Sequence, residues 1–188
     1  KITNGQVDFS YVGYEQNGSN WWYVYGGQVC FQATDVLPGT VGGQYGWWKV
    51  CEGKVNFDDD VCENAYGWWK ITTGKVDFQY TGLAQNACGW WMIQNGHVNF
   101  GSNGLVDNGN GWWLVKNGGV DFNYNGLVDN GNGWWLIRNG YVDFNYNGLV
   151  DNGNGWWLVK NGCVDFSYQG YVQNECGVWW VSNGQVQF

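Results

Sequence analysis

Apolar residues in this chain follow two interleaved rhythms, an alternation of period two inside short runs and a return of the whole pattern about every 22 residues. The run Trp112-Trp113-Leu114-Val115 meets the polar stop Lys116-Asn117-Gly118. It is followed by Val120, Asp121, Phe122, Asn123 and Tyr124. Strand-forming residues on both sides of Asn-Gly predict a β-hairpin, because a type I′ turn needs positive φ at both central residues. The string then recurs. Residues 104–125 read GLVDNGNGWWLVKNGGVDFNYN, and residues 126–147 differ only at Ile137, Arg138 and Tyr141. No stretch carries an apolar period of 3.6, so no helix is expected.

Eight Trp-Trp pairs mark the units: Trp21-Trp22, Trp47-Trp48, Trp68-Trp69, Trp90-Trp91, Trp112-Trp113, Trp134-Trp135, Trp156-Trp157 and Trp179-Trp180. Taking the first Trp as position zero, Val recurs at plus eight from Val29 to Val164 and Phe at plus ten from Phe31 to Phe166. The last unit keeps this frame with Val178 at zero, so its pair has slid by one position. A period this short predicts an all-β solenoid of stacked hairpins built from ~22-residue repeats. Residues 1–188 then read as one array of about eight units, partial at both ends, with an irregular inserted loop near 32–46 around Pro38. A parallel β-helix is the alternative, but it would stack equivalent aspartates at roughly 4.8 Å, where like charges repel.

A two-residue turn fixes register. Plus three opposes plus eight, plus one opposes plus ten, and opposed residues share a face. One face then carries the second Trp, the β-branched residue at plus three, Val at plus eight and Phe at plus ten, which is core composition. The other carries the first Trp, the variable plus two and the polar or acidic plus nine. This makes the position-zero indoles Trp21, Trp47, Trp68, Trp90, Trp112, Trp134 and Trp156 the candidate ligand contacts. Trp180 joins them on the same face. Asp77, Asp121, Asp143 and Asp165 at plus nine would supply countercharge or hydrogen bonds. The competing reading packs each position-zero Trp against the next hairpin, where it only extends the apolar spine.

Charge narrows the partner. A net charge of −8 with eight Lys plus Arg lacks the cationic track that phosphate backbones demand, so nucleic acid is excluded. No apolar run approaches membrane-spanning length, no membrane insertion is expected, and no signal peptide is visible. Six cysteines, Cys30, Cys51, Cys62, Cys88, Cys163 and Cys176, fit no metal spacing. They are expected to form disulfides in an oxidising, extracellular setting, with Cys163–Cys176 the favoured pair and free buried thiols the alternative. The loop Asp107-Asn108-Gly109-Asn110-Gly111 lacks the distal Glu and the alternating oxygens of a calcium loop, and reads as turn chemistry. Carboxylates that recur with every repeat belong to a scaffold or a repeated binding site, so no catalytic residue, no metal and no cofactor is expected. An indole face suits the C–H side of a sugar or a methylammonium group, and tandem weak sites gain avidity.

The residues GWWLVKNGGVDFNYNGLVDNGN resemble the tandem Trp/Gly-rich repeats of Gram-positive surface proteins and cell-wall hydrolases. They are similar to choline-binding and glucan-binding repeats. The resemblance spans essentially the whole chain. It implies a secreted or cell-surface attachment module whose grooves between hairpins hold choline or glycan groups. The partner would be a cell-wall polysaccharide or host glycan, with further repeats or another domain attached. Trp90, Trp112, Trp134 and Trp156 would be the groove aromatics, with Tyr124, Tyr146 and Tyr168 from adjoining hairpins. A passive stalk with no ligand of its own is the alternative, as is an adhesin for a host protein that reads its target through residues 31–62.

Overall fold

A computed structural model describes all 188 residues. The chain forms two compact units, Lys1–Phe100 and Gly101–Phe188. Each is a stack of antiparallel hairpins with no helix, the all-β hairpin solenoid that the repeat pattern predicts.

One repeat shows how the sequence builds the stack. Residues Gly126–Asp129 form an incoming strand, Trp134–Arg138 a central strand and Tyr141–Val142 a two-residue return strand. Incoming and central strands pair Leu127 with Leu136 and Val128 with Trp135. Asn139 and Gly140 carry φ of 50° and 77°, the type I′ turn that Asn-Gly encodes. Ile137 then faces Val142. Here the return strand stops. Asp143 Oδ1 accepts from Asn145 N–H at 3.2 Å, an Asx turn that carries the chain off the ladder. The expected pairing of plus one with plus ten is therefore not formed. The free edge of the central strand pairs instead with the following repeat, Trp135 opposite Cys163, and Leu136 N–H donates to Gly162 O at 2.8 Å.

This edge pairing covers the face expected to carry only candidate contacts. The face of one repeat that carries plus two packs on the face of the next that carries plus three and plus eight: Leu114 clusters with Ile137 and Val142, Leu136 with Val159 and Val164, and Leu158 with Val181 and Val186. Val36, Ile71 and Val76 repeat the scheme in the first unit. Plus two, expected on the outer face with the candidate contacts, is 4% exposed at Leu136. Plus ten, expected in the core, is 42% exposed at Phe166. Full burial of such aliphatic side chains stabilises each repeat by about 1.5–3 kcal/mol per residue, and a hairpin without its neighbours has no such surface to share.

Two further expectations change. The stretch 32–46 is no loop: Asp35–Val41 and Gln44–Cys51 form the longest hairpin, with Pro38 in the ladder opposite Trp47. All six cysteines are free thiols. The expected partners Cys163 and Cys176 occupy different environments. The first lies in a return strand across from Trp135, the second in the exposed turn before Gly177.

Candidate ligand-binding site

The two tryptophans of a pair belong to different clusters, because neighbouring residues of a strand point to opposite faces. Trp112 meets Trp135 of the following repeat with ring centroids 4.9 Å apart, and Phe144 of that repeat at 5.8 Å. Phe144 in turn sits 5.7 Å from Trp135. Trp134, Trp157 and Phe166 reproduce the arrangement at 4.9, 5.7 and 5.7 Å. In the first unit Trp68, Trp91 and Phe100 do so at 5.0, 6.0 and 5.9 Å. Trp47 joins Trp69 and Phe78, and Tyr66 adds a fourth ring 5.5 Å from Trp47. Each cluster thus takes the first Trp of one repeat and the second Trp plus Phe of the next. The rings of the two regular clusters are steeply inclined, 55–59° between indoles and 81–85° between the first indole and Phe. They form a corner of aromatic faces half-open to solvent.

The remaining candidates fall as follows. Trp21 lines a cavity with Trp48 and Phe57. Trp90 is half-buried and lies opposite Gln85 in its hairpin. Trp156 packs in the cluster of Leu149, Leu158 and Trp179, and Trp179 contacts Phe188 at 5.5 Å. Trp180 is 43% exposed and stands edge-on to Tyr171. The aspartates are engaged locally. Asp121, Asp143 and Asp165 pair with Lys116, Arg138 and Lys160 at 2.9–3.2 Å, and Asp77 accepts from Thr72 and from the amide of Gln79. Those three cations cover the rings of Tyr124, Tyr146 and Tyr168 at 4.3–4.5 Å. Each of these tyrosines donates its hydroxyl to a carbonyl three residues on. The tyrosines therefore brace the scaffold, and they pack against the same apolar clusters as the indoles, Tyr124 with Trp112 and Trp135 and Tyr146 with Trp134 and Trp157.

Sequence reasoning missed Phe at plus ten as a site residue. Its signal was Asp followed two positions later by Asn, Ser or Gln, an Asx turn that ends the strand before Phe. It also missed an asparagine clamp four residues before position zero. Asn64 Oδ1 accepts from Trp69 Nε1–H at 3.0 Å and Tyr66 N–H at 2.9 Å, while Asn64 Nδ2 donates to Val36 O of the preceding hairpin. Asn86 does the same for Trp91, Cys88 and Val61. In the regular repeats Asn130 keeps only the backbone bond from Asn132, and Nε1 of Trp135 is buried without a partner.

The glycine before the pair faces plus seven of the next repeat at Gly46, Gly67, Gly111, Gly133 and Gly155, whereas a Cβ at Gly89 would meet nothing within 4 Å and Asn20 stands before Trp21. At Gly133 a Cβ would lie 3.2 Å from Cys163 Sγ, because the residue at plus seven crosses above it. Elsewhere in the first unit, Asp60 feels two opposed influences. Burial pushes its carboxyl up, but hydrogen bonds from Lys49 at 2.6 Å, from Val61 N–H and from the Cys62 thiol hold it below its ordinary value. Burial, then the Asp60 charge, pushes the Cys62 thiol up to about 12.

The sequence model of the choline-binding repeat matches residues 10–30, 79–99, 101–121, 123–143 and 145–165, more than half of the chain. The chain belongs to the choline-binding repeat family, a family of binding modules. Each matched segment holds one Trp pair and ends one residue before the Phe at plus ten. Among solved structures it is similar to choline-binding protein F from Streptococcus pneumoniae, at 20% identity and a TM-score of 0.37 over 92% of this chain and 58% of that one. A structure of CbpF in complex with ipratropium gives 19%, 0.37, 92% and 60%. Alternansucrase in complex with isomaltononaose gives 13% and 0.33, over 100% of this chain and 16% of that one. The chain thus spans about three-fifths of the length of the choline-binding protein. No curated protein matches it in sequence.

Proposed function

We propose that this chain is a non-catalytic attachment module at the cell surface, whose array of inter-repeat corners holds the quaternary ammonium groups of a choline-bearing cell-wall polymer. The observation that carries this reading is the recurrence of the same three-ring corner, Trp112–Trp135–Phe144 and Trp134–Trp157–Phe166, at centroid spacings that agree within 0.1 Å. Rings this close leave no space between them. A methylammonium within ~6 Å of all three centroids rests on the open side of the corner, where inclined π-faces meet the cation. Each contact is worth about 0.5–1 kcal/mol at such exposure, so single sites bind weakly and attachment depends on several acting together. The net charge of −8 favours a cationic group over an anion.

Titration with choline chloride, followed by the indole N–H signals in nitrogen–proton correlation spectra, tests this. Trp112, Trp134 and Trp135 should shift together, and Phe144→Ala should weaken the Trp112 response about fivefold while leaving the dispersion of the spectrum intact. Saturating choline that moves no indole signal would overturn the proposal and leave the stalk and the host-protein adhesin.

A further inference from the structure

Two plus-seven lysines lie opposite the second Trp of a pair, Lys54 across from Trp22 and Lys75 across from Trp48. Lys75 stands over its ring, with Nζ 5.7 Å from the centroid of Trp48. Gly46 gives the side chain its path, since a Cβ there would sit 2.6 Å from Lys75 Cδ. Nζ also donates to Gln44 Oε1 at 3.3 Å. Trp21, Trp48, Phe57, Gln44, Thr72 and Lys75 together line a cavity of about 310 Å³. The residues opposite the second Trp in the regular repeats are Tyr141, Cys163 and Gln185, none of them a cation.

That single charge changes what the corner accepts. A second cation seated beside Lys75 Nζ on the same face of Trp48, at a separation of ~6 Å, would bind about 3- to 100-fold more weakly, depending on how far water is excluded. An anion gains by the same factor. The walls otherwise offer flat indole faces for the C–H side of a pyranose, with the Gln44 amide to donate to its hydroxyls and the Thr72 hydroxyl, whose own proton goes to Asp77 at 3.4 Å, to accept from them. The volume lies at the small end of ligand cavities and suits a single sugar unit.

We infer that the Trp21–Trp48–Phe57–Lys75 cavity is a second kind of subsite, which takes an anionic saccharide unit with its carboxylate or phosphate on Lys75. It stands independently of choline binding at the other corners, whose indole signals report separately.

The test uses the full chain and four probes: glucuronate, glucose 6-phosphate, glucose and inorganic phosphate. Trp21 and Trp48 signals, assigned through Trp→Phe variants, should respond to one or both anionic sugars at concentrations about tenfold below glucose, the worth of one charge-assisted hydrogen bond. Which of the two responds identifies the anion. Lys75→Gln should erase the preference for charge and let choline shift Trp48, whereas Lys75→Arg should retain the preference. Three outcomes overturn the inference. Glucose could bind as well as the anionic sugars, inorganic phosphate could bind as well as glucose 6-phosphate, or Lys75→Gln could leave the preference unchanged. Choline shifting Trp48 in the wild type as readily as Trp135 would overturn it too.

Discussion

Gly140→Ala should loosen the stack far more than Gly131→Ala, and the structure thereby supplies its own control. Gly140 has a φ of 77°, and a Cβ there would lie 2.5 Å from Asp121 O and 3.0 Å from Phe122 Cα, all of it backbone of the preceding repeat. Left-handed conformation costs a non-glycine residue about 1–2 kcal/mol. Relieving the collision means separating two repeats held there by Leu114 N–H to Gly140 O at 2.8 Å and Gly140 N–H to Tyr124 O at 3.1 Å. Each such bond is worth about 1 kcal/mol, so the total loss is about 3–4 kcal/mol. Gly131 has a similar φ of 84° with nothing within 4 Å of its Cβ position, so Gly131→Ala should incur only the conformational cost. For a chain of this size the two losses correspond to Tm shifts of roughly 10 °C and 4 °C. Thermal unfolding by tryptophan fluorescence measures both. Because tandem repeats need not melt together, hydrogen exchange at Leu114 and Leu136 locates the weakened junction. Equal shifts for the two variants would refute the argument that Gly140 is required by the neighbouring backbone.

Asn64→Ala removes three hydrogen bonds at once, so it should destabilise the first unit by about 2–3 kcal/mol and red-shift Trp69 emission. Asn130→Ala removes one bond and should lose under about 1 kcal/mol in chemical denaturation; the reverse order would discredit the clamp. Alkylation at about pH 8 should label exposed Cys88 and Cys176 well before Cys62, whose thiol is raised to about 12 and therefore holds almost no thiolate there. Prompt labelling of Cys62 in the folded protein would contradict its burial. Asp60 is held below its ordinary value of 3.8, so its contribution to stability is present above that value and is lost as pH falls through the lower folded value. The Tm gap between wild type and Asp60→Asn should therefore be constant near neutrality and close in acid; a gap that widened on acidification would reverse the assignment.

Much of the local structure was fixed by sequence alone, because it depends on contacts only a few residues apart. Asn139-Gly140 dictates its turn whatever surrounds it, and Ile137 facing Val142 follows from that turn. The repeat period announced the solenoid, and the string GWWLVKNGGVDFNYNGLVDNGN showed the likeness to choline-binding repeats. Which indole stands where was beyond reach of the pattern. A period of two assigns Trp134 and Trp135 to opposite faces of one hairpin, but both faces are covered once the hairpins stack, since the free edge of each central strand pairs with the return strand of the next repeat. Only that long-range pairing brings Trp112 to Trp135 and Phe144, turns Leu136 inward and sets Lys75 over Trp48. Sequence decided the hairpin, where the determinants lie within a turn of each other. Tertiary structure decided the site, because every corner is assembled from two repeats about 22 residues apart.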